Sequence, residues 1–195
     1  MSTLDDFASE KLAQLELRGL RRTLIETDRH SKTGAHRDGK PLISFCCNDY
    51  LNLSHHPEVV AASQEATKRF GTNAGGSRLI TGNVPLYSVL EDKLARFKQT
   101  EAAIVFGSGY LTNVGVIPCL VGPEDMIVAD ELNHSCLFAG AQLSRASLFV
   151  YEHGNAKACR TVLENKRTQH KKCLVLTDGV FSMDGDTAPL AGLAD

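Results

Sequence analysis

From about residue 102 onward, short apolar runs alternate with segments of helical period, and that alternation leaves few folds open. The runs cover 102–106, 126–130, 148–151 and 173–177. Between them, apolar side chains at helical spacing predict helices over about 110–119, 134–144 and 155–169. Strands this short and this apolar are expected to be covered on both faces, and an intervening helix lets successive strands run parallel. The expected fold class is therefore α/β, a mostly parallel sheet with helices on both faces. In such a sheet the loops that follow the strands gather at one edge, where α/β proteins keep their ligand sites.

The upstream part is less regular. Residues 4–28 read as an amphipathic helix with Leu4, Phe7, Leu12, Leu15 and Leu24 roughly on one side, and Ser2 with Asp5 resembles a capping signal. The polar stretch 29–40 reads as a loop and 42–45 as a short strand. Pro57 suits the first turn of a helix over 57–70, a glycine-rich loop follows from Gly71 to Gly82, and Pro85 opens another helix.

Composition narrows the function classes. The 195 residues fit one medium domain or part of a larger one, and 43% hydrophobic content supports a substantial core. Lys and Arg total 21 against 23 Asp and Glu, a net charge of −2, which argues against a nucleic-acid partner. Six cysteines (46, 47, 119, 136, 159 and 173) form no C-x-x-C pair and no cluster with histidine, so no metal site is expected. Several lie in apolar runs and read as reduced core residues of a cytoplasmic protein. The acidic N-terminus carries no signal-peptide pattern, and no apolar run approaches membrane-spanning length.

Three loops carry polar groups of chemical interest. Phe106-Gly107-Ser108-Gly109-Tyr110 lies where a strand ends and a helix begins. Its glycines serve either a tight turn that needs their dihedral freedom or the approach of an anion to the helix start, and by themselves they favour the turn. His134 begins the next helix. It is either a capping group or a ring that stacks on a planar ligand and moves protons near neutral pH. Ser182 and Asp184 follow the last strand, where turn formation and capping are the common uses of such residues. The three loops fall at one sheet edge, so the constellation points to a single ligand more strongly than any member does.

Asn48-Asp49-Tyr50-Leu51, Gly75-Gly76-Ser77-Arg78-Leu79-Ile80-Thr81-Gly82, Ser108-Gly109-Tyr110, Asn133-His134-Ser135 and Val180-Phe181-Ser182-Met183-Asp184-Gly185-Asp186 occur in this order along the chain. Together they resemble the pyridoxal-phosphate-dependent α-oxoamine synthases, in the branch that condenses L-alanine with a pimeloyl thioester. The resemblance implies an aminotransferase-like fold of type I, with residues 1–45 as an N-terminal helix and arm and 46–195 as the first part of the large cofactor-binding domain. It implies that Ser108, Gly109 and Tyr110 hold the phosphate of pyridoxal 5'-phosphate. His134, the catalytic candidate, would stack over the pyridine ring and position substrate, and Ser182 would bond near the ring oxygen. Arg21 (or Arg22) and Asn48 would meet substrate, and the 71–82 loop would lie at a homodimer interface.

Three residues depart from the family pattern. Asn52 and Asn73 stand where glycine is usual, and asparagine tolerates positive φ. Asp178 replaces a glutamate, keeping the charge with one methylene less reach. The family's Asp-x-x-His segment and Schiff-base lysine have no counterpart in this chain. By itself it is therefore expected to be inactive, about half of a complete enzyme with its sheet unfinished. A sister enzyme that uses glycine or serine, and a non-catalytic partner subunit, are the other readings.

Overall fold

The computed structural model describes residues 3–29 and 34–195, so Ser2 of the expected capping signal lies outside the described residues. Two compact units divide the chain, one running to Val84 and the other from Pro85 to Asp195.

The first unit begins with helix α1 (Leu4–Leu17). Its cap sits one position later than the sequence suggested. The Thr3 hydroxyl accepts the Asp6 N–H at 3.1 Å, while the Asp6 carboxylate accepts the Thr3 N–H at 2.8 Å. The helix does not reach residue 28 as expected. Gly19 takes a left-handed φ of 64°, the Gly19 N–H bonds to the Glu16 carbonyl, and the Leu20 N–H bonds to that of Leu15. This paired closure is the Schellman stop, for which Gly19 is the residue type of choice.

The expected loop over 29–40 also conceals a strand. β1 (Gly34–Arg37) and β2 (Lys40–Ile43) form an antiparallel hairpin with Arg37 opposite Lys40. The two residues between them, Asp38 at φ 51° and Gly39 at φ 70°, make the doubly left-handed turn that Asp-Gly favours. Helix α2 (Pro57–Phe70) matches the expected 57–70, with Pro57 in its first turn. Asn52 does take a positive φ, 56°, as its replacement of glycine required.

The second unit opens with α3 (Pro85–Lys98) and α4 (Gly109–Leu120). Its sheet is made of β3 (Met126–Asp130), β4 (Ser147–Tyr151) and β5 (Cys173–Leu176), alternating with α5 (Ser135–Ser144) and α6 (Ala156–Lys166) and followed by α7 (Leu190–Ala194). The order is β4-β3-β5 and both pairings are parallel. β3 is buried along its whole length. Ile127 and Ala129 pack with Ile117, Val121, Leu137 and Ala141 of the α4–α5 layer. Met126 and Val128 pack on the other face with Tyr151 and Cys159. Helices on both faces of a parallel sheet are what the alternation of apolar runs implied.

The expected strand over 102–106 is not part of this sheet. The Val105 N–H donates to the Glu91 carboxylate at 2.8 Å, so a side chain takes a bond that a neighbouring strand would have accepted. An apolar run becomes a strand only where a partner backbone is available, and spacing does not supply one. The cysteines divide as well. Cys136 and Cys159 are buried, whereas Cys46 and Cys119 are exposed, and all six are free.

Candidate functional site

Helix α4 starts at the end of the 102–106 segment with Ser108 as its cap. The Ser108 hydroxyl accepts the Leu111 N–H at 3.2 Å, and its carbonyl accepts the Thr112 N–H at 3.0 Å. The sequence left open whether the flanking glycines serve the backbone or a ligand. Neither Gly107 nor Gly109 has a positive φ, so the turn does not need them for its dihedrals. A Cβ on Gly109 would meet nothing within 4 Å, and one on Gly107 would make only ordinary contact with Leu111. What glycine does here is leave open ground before the Gly109 and Tyr110 N–H groups, which have no partner within the helix. A phosphate fits that position, at the positive end of the helix dipole.

The start of α5 lies beside the first turns of α4. The two helices approach so closely at Gly140 that a Cβ there would come within 2.5 Å of the Asn113 carbonyl oxygen. Asn113 Nδ2 donates to Cys136 Sγ at 3.0 Å, joining one turn into α4 to the first turn of α5. His134 caps α5. Its Nδ1 accepts the Cys136 N–H at 3.2 Å and lies 2.8 Å from Cys136 Sγ. A ring nitrogen that accepts a backbone N–H carries no proton, which places the ring proton on Nε2. The capping use of this histidine is therefore real, and it occupies Nδ1 alone. The exposed ring keeps its Nε2–H edge for a ligand.

The segments after β3 and β5 are stitched together. The Asn133 side chain is buried, donates to the Leu176 carbonyl at 2.9 Å and accepts the Asp178 N–H at 3.0 Å. The Asp178 carboxylate accepts the His134 N–H at 2.7 Å. Aspartate in place of the longer glutamate thus reaches the backbone of the candidate residue itself.

Ser182 lies in the turn after β5, exposed beside Met183 and Asp184. That turn is closed by a bridge between Val180 and Thr187, by the Phe181 N–H on the Asp186 carbonyl at 2.9 Å, and by the Gly185 N–H on the Phe181 carbonyl at 2.8 Å. Gly185 sits at φ 79°, where glycine is needed. Phe181 is buried beneath the turn. The loop after β4 supplies a residue that the sequence reasoning did not single out. His153 places one ring nitrogen 2.8 Å from Asp130 and the other 2.8 Å from Asp186, with Phe181 edge-on to the ring. The signal was faint: a histidine just past an apolar strand, without a motif of its own.

The other two substrate candidates, Arg21 and Asn48, fall in the first unit. Arg21 lies beyond the end of α1, not within it, and pairs with Glu16 at 2.5 Å on the surface. Such exposed pairs contribute about 0–1 kcal/mol and exchange readily for another anion. Asn48 is exposed in an irregular turn. Next to it the Asp49 carboxylate accepts the Leu53 and Ser54 N–H groups and lies 3.7 Å from Arg29, and contacts led by Ser54 hold its pKa below the usual range.

Among the described residues, no helix is long and apolar enough to cross a membrane, and no group of three His, Cys, Asp or Glu side chains could hold a metal ion.

Residues 40–195 match the family model described as aminotransferase class I and II. The chain is 52% identical over 195 residues to an 8-amino-7-oxononanoate synthase of Granulibacter bethesdensis, covering all of this chain and 51% of that protein. It is 53% identical over 195 residues to the enzyme of the same name from Beijerinckia indica, covering 50% of it. The chain spans about half the length of the curated relatives it matches. Among solved structures, a serine palmitoyltransferase from S. paucimobilis with a bound PLP–myriocin aldimine superposes at a TM-score of 0.87 and 29% identity, over 99% of this chain and 49% of that one. An 8-amino-7-oxononanoate synthase from Francisella tularensis superposes at 0.64 and 28% identity, over 77% of this chain and 41% of that one.

Proposed function

Because this chain belongs to the class I and II aminotransferase family, we propose that it forms the cofactor-binding part of a pyridoxal-phosphate-dependent acyltransferase, an 8-amino-7-oxononanoate synthase. The reaction is the decarboxylative condensation of L-alanine with a pimeloyl thioester, on coenzyme A or an acyl carrier protein. It gives 8-amino-7-oxononanoate, carbon dioxide and the free thiol, a step of biotin biosynthesis. The observation that carries this reading is the start of α4. Glycine stands there without any need for its dihedrals, before two N–H groups unpaired within the helix, and one turn on Asn113 reaches Cys136, whose N–H His134 caps.

Ser108, Gly109 and Tyr110 would hold the cofactor phosphate, His134 would lie over its ring, and Ser182 would bond near the ring oxygen. Bound pyridoxal phosphate supplies the electron sink that makes a carbanion accessible at the amino-acid carbon. His134 orients substrate through Nε2–H, and Asp178 and Asn133 fix the backbone that carries it. Arg21 and Asn48 are assigned to substrate binding, with Arg21 free to leave Glu16 for the acyl substrate. In the whole protein, residues 1–45 serve as an N-terminal arm and 46–195 as the first part of the large domain. A homodimer, with the 71–82 loop at its interface, would cover Leu79 and Ile80, which are almost fully exposed here. A soluble, cytoplasmic enzyme fits the composition. None of the residues described is assigned to hold the cofactor covalently, so we expect no turnover from this chain by itself.

The test is product formation by the full-length protein, followed by mass spectrometry with pimeloyl thioester and each of L-alanine, glycine and L-serine. Alanine should be used at least tenfold faster, the margin a pocket shaped to one methyl group gives. Preferential use of serine would move the protein to the palmitoyltransferase-like branch. Absence of condensation with all three would overturn the reading.

A further inference from the structure

Three chain segments meet at His153. Its Nδ1 lies 2.8 Å from Asp130 Oδ1, at the C-terminal end of β3, and its Nε2 lies 2.8 Å from Asp186 Oδ2, in the turn that carries Ser182. A carboxylate only accepts hydrogen bonds, so a ring held by two carboxylates must donate from both nitrogens and is an imidazolium. Asp130 is ionised for a separate reason. Its side chain is fully buried, and besides the histidine its oxygens accept the Leu132 and Gly154 N–H groups, both at 2.9 Å. Burial alone would raise its pKa, but those two N–H groups and the His153 ring outweigh it and bring it below the usual range. The Phe181 ring, 4.4 Å away and nearly perpendicular, packs the imidazolium from the turn side.

We propose that His153 is a positioning residue of this site: as an imidazolium clamped between Asp130 and Asp186, it locks the 180–187 turn, and the Ser182 hydroxyl on it, to the end of β3. This rests on the assignment of Ser182 to the cofactor. The clamp acts on the turn and not on the chemistry, because neither ring nitrogen is left to touch a ligand. It also reaches His134, since the Asp130 carbonyl accepts the Asn133 N–H at 3.2 Å, and Asn133 holds the strand that leads into the turn.

A clamp of this kind has a pH limit. The hydrogen bonds to Asp130 first and to Asp186 second raise the pKa of His153 above the ordinary imidazole value, although burial opposes them. Two further acidic groups follow β3 and β4: Glu131, whose carboxylate accepts the backbone N–H of His153, and Glu152, which holds the Asn155 side chain. Asp130 and Asp186 are the two charges that favour the charged ring. A group whose folded pKa is raised gives its full stabilisation below the unfolded value, about 6.5, and loses it as pH climbs through the folded value. The turn therefore loosens on the alkaline side.

The experiment has two arms, both in the full-length protein. In the first, amide hydrogen exchange of a peptide spanning 179–188 is followed without cofactor as pH is raised from below the ordinary imidazole value, about 6.5, until the His153 titration is complete, and corrected for intrinsic rates. Wild-type protection at Phe181 and Gly185 should fall about tenfold across the His153 titration, the loss expected of one charge-assisted bond. H153Q and D186N should show the lowered level at every pH, with the β3 amides unchanged. Asp186 is a partly exposed turn residue, so D186N decides the matter if H153Q disturbs the whole domain. Wild-type protection and an unaltered pH step in D186N would overturn the clamp. In the second arm, the absorbance of bound pyridoxal phosphate is titrated in wild type and D186N. A spectral step that follows the turn, and is lost in D186N, supports the link to Ser182. A loosened turn with an unmoved spectrum leaves the clamp standing and overturns the Ser182 assignment.

Discussion

The two units of this chain use the same local signals to start and stop their elements, and they differ in what their apolar side chains touch. In the first unit α1 and α2 bury none of their residues, and Leu24 and Leu79 stand almost wholly in solvent. In the second, Met126, Ile127 and Val128 have no exposure at all. The capping box at Thr3 and the glycine stop at Gly19 are as well formed as anything in the second unit. Local signals thus define where a helix begins and ends, whereas only burial holds it against the unfolded chain.

The sharpest way to break this contrast is at Asp130. Asp130→Ala leaves His153 without its buried partner and orphans the Leu132 and Gly154 N–H groups. Removing one member of a buried ion pair costs about 3–5 kcal/mol, and urea unfolding of the full-length protein should show a loss of that order. A loss below about 1 kcal/mol, the level of a surface pair, would mean that the cluster is solvated and that β3 is not its anchor.

A matched pair of truncations comes next. Ile127→Ala removes a side chain packed against α4 and α5 and should cost about 2–5 kcal/mol. Leu12→Ala, in α1, should change stability by no more than about 0.5 kcal/mol if that face is as open as it stands here. A large loss at Leu12 would show that α1 is covered in the full-length protein, and would support the dimer or the rest of the polypeptide as its cover. Smaller than the loss at Ile127 is that of Ser108→Ala. The lost cap costs α4 about 1 kcal/mol. Cofactor affinity should fall by at least tenfold beyond that, read by equilibrium dialysis of pyridoxal phosphate, because the hydroxyl lies at the proposed phosphate seat. Equal affinity in the variant would separate the cap from the cofactor.

What the sequence disclosed follows the same division. The parallel sheet of β3, β4 and β5 and the positions of His134 after β3 and Ser182 after β5 were legible, because apolar strands covered by helices write themselves as continuous apolar runs, whereas the strand expected before Ser108 is absent. Two of the differences carry a signal in the sequence: Gly19 interrupts the expected helix over 4–28, and Asp38-Gly39, the strongest short hairpin signal, lies inside the expected loop over 29–40. The others carry none. Whether 102–106 pairs as a strand depends on a neighbour, and Glu91 is no sequence signal for its absence. His153 finds its two carboxylates 23 and 33 positions away, a distance at which no spacing rule operates. Asp178 was noticed as a departure, but its role as acceptor for the His134 N–H needed the turn geometry.

The smallest effect is at the far end of the chain and tests the claim that α1 stands on local signals alone. Hydrogen bonds from Thr3, its backbone N–H foremost, hold the Asp6 carboxyl below its ordinary pKa. A group depressed on folding stabilises above its unfolded value, about 3.9, and the contribution is lost as pH falls through the folded value. Acid titration should therefore release the first-turn amides of α1 in step with Asp6, while the amides of β3 keep their protection at that pH. Thr3→Ala should move the Asp6 midpoint, read by carboxyl carbon NMR, upward towards the ordinary value. If α1 instead lost protection together with β3 in one transition, burial that the first unit does not display would be holding the helix. Local capping alone would then be too weak an account of it.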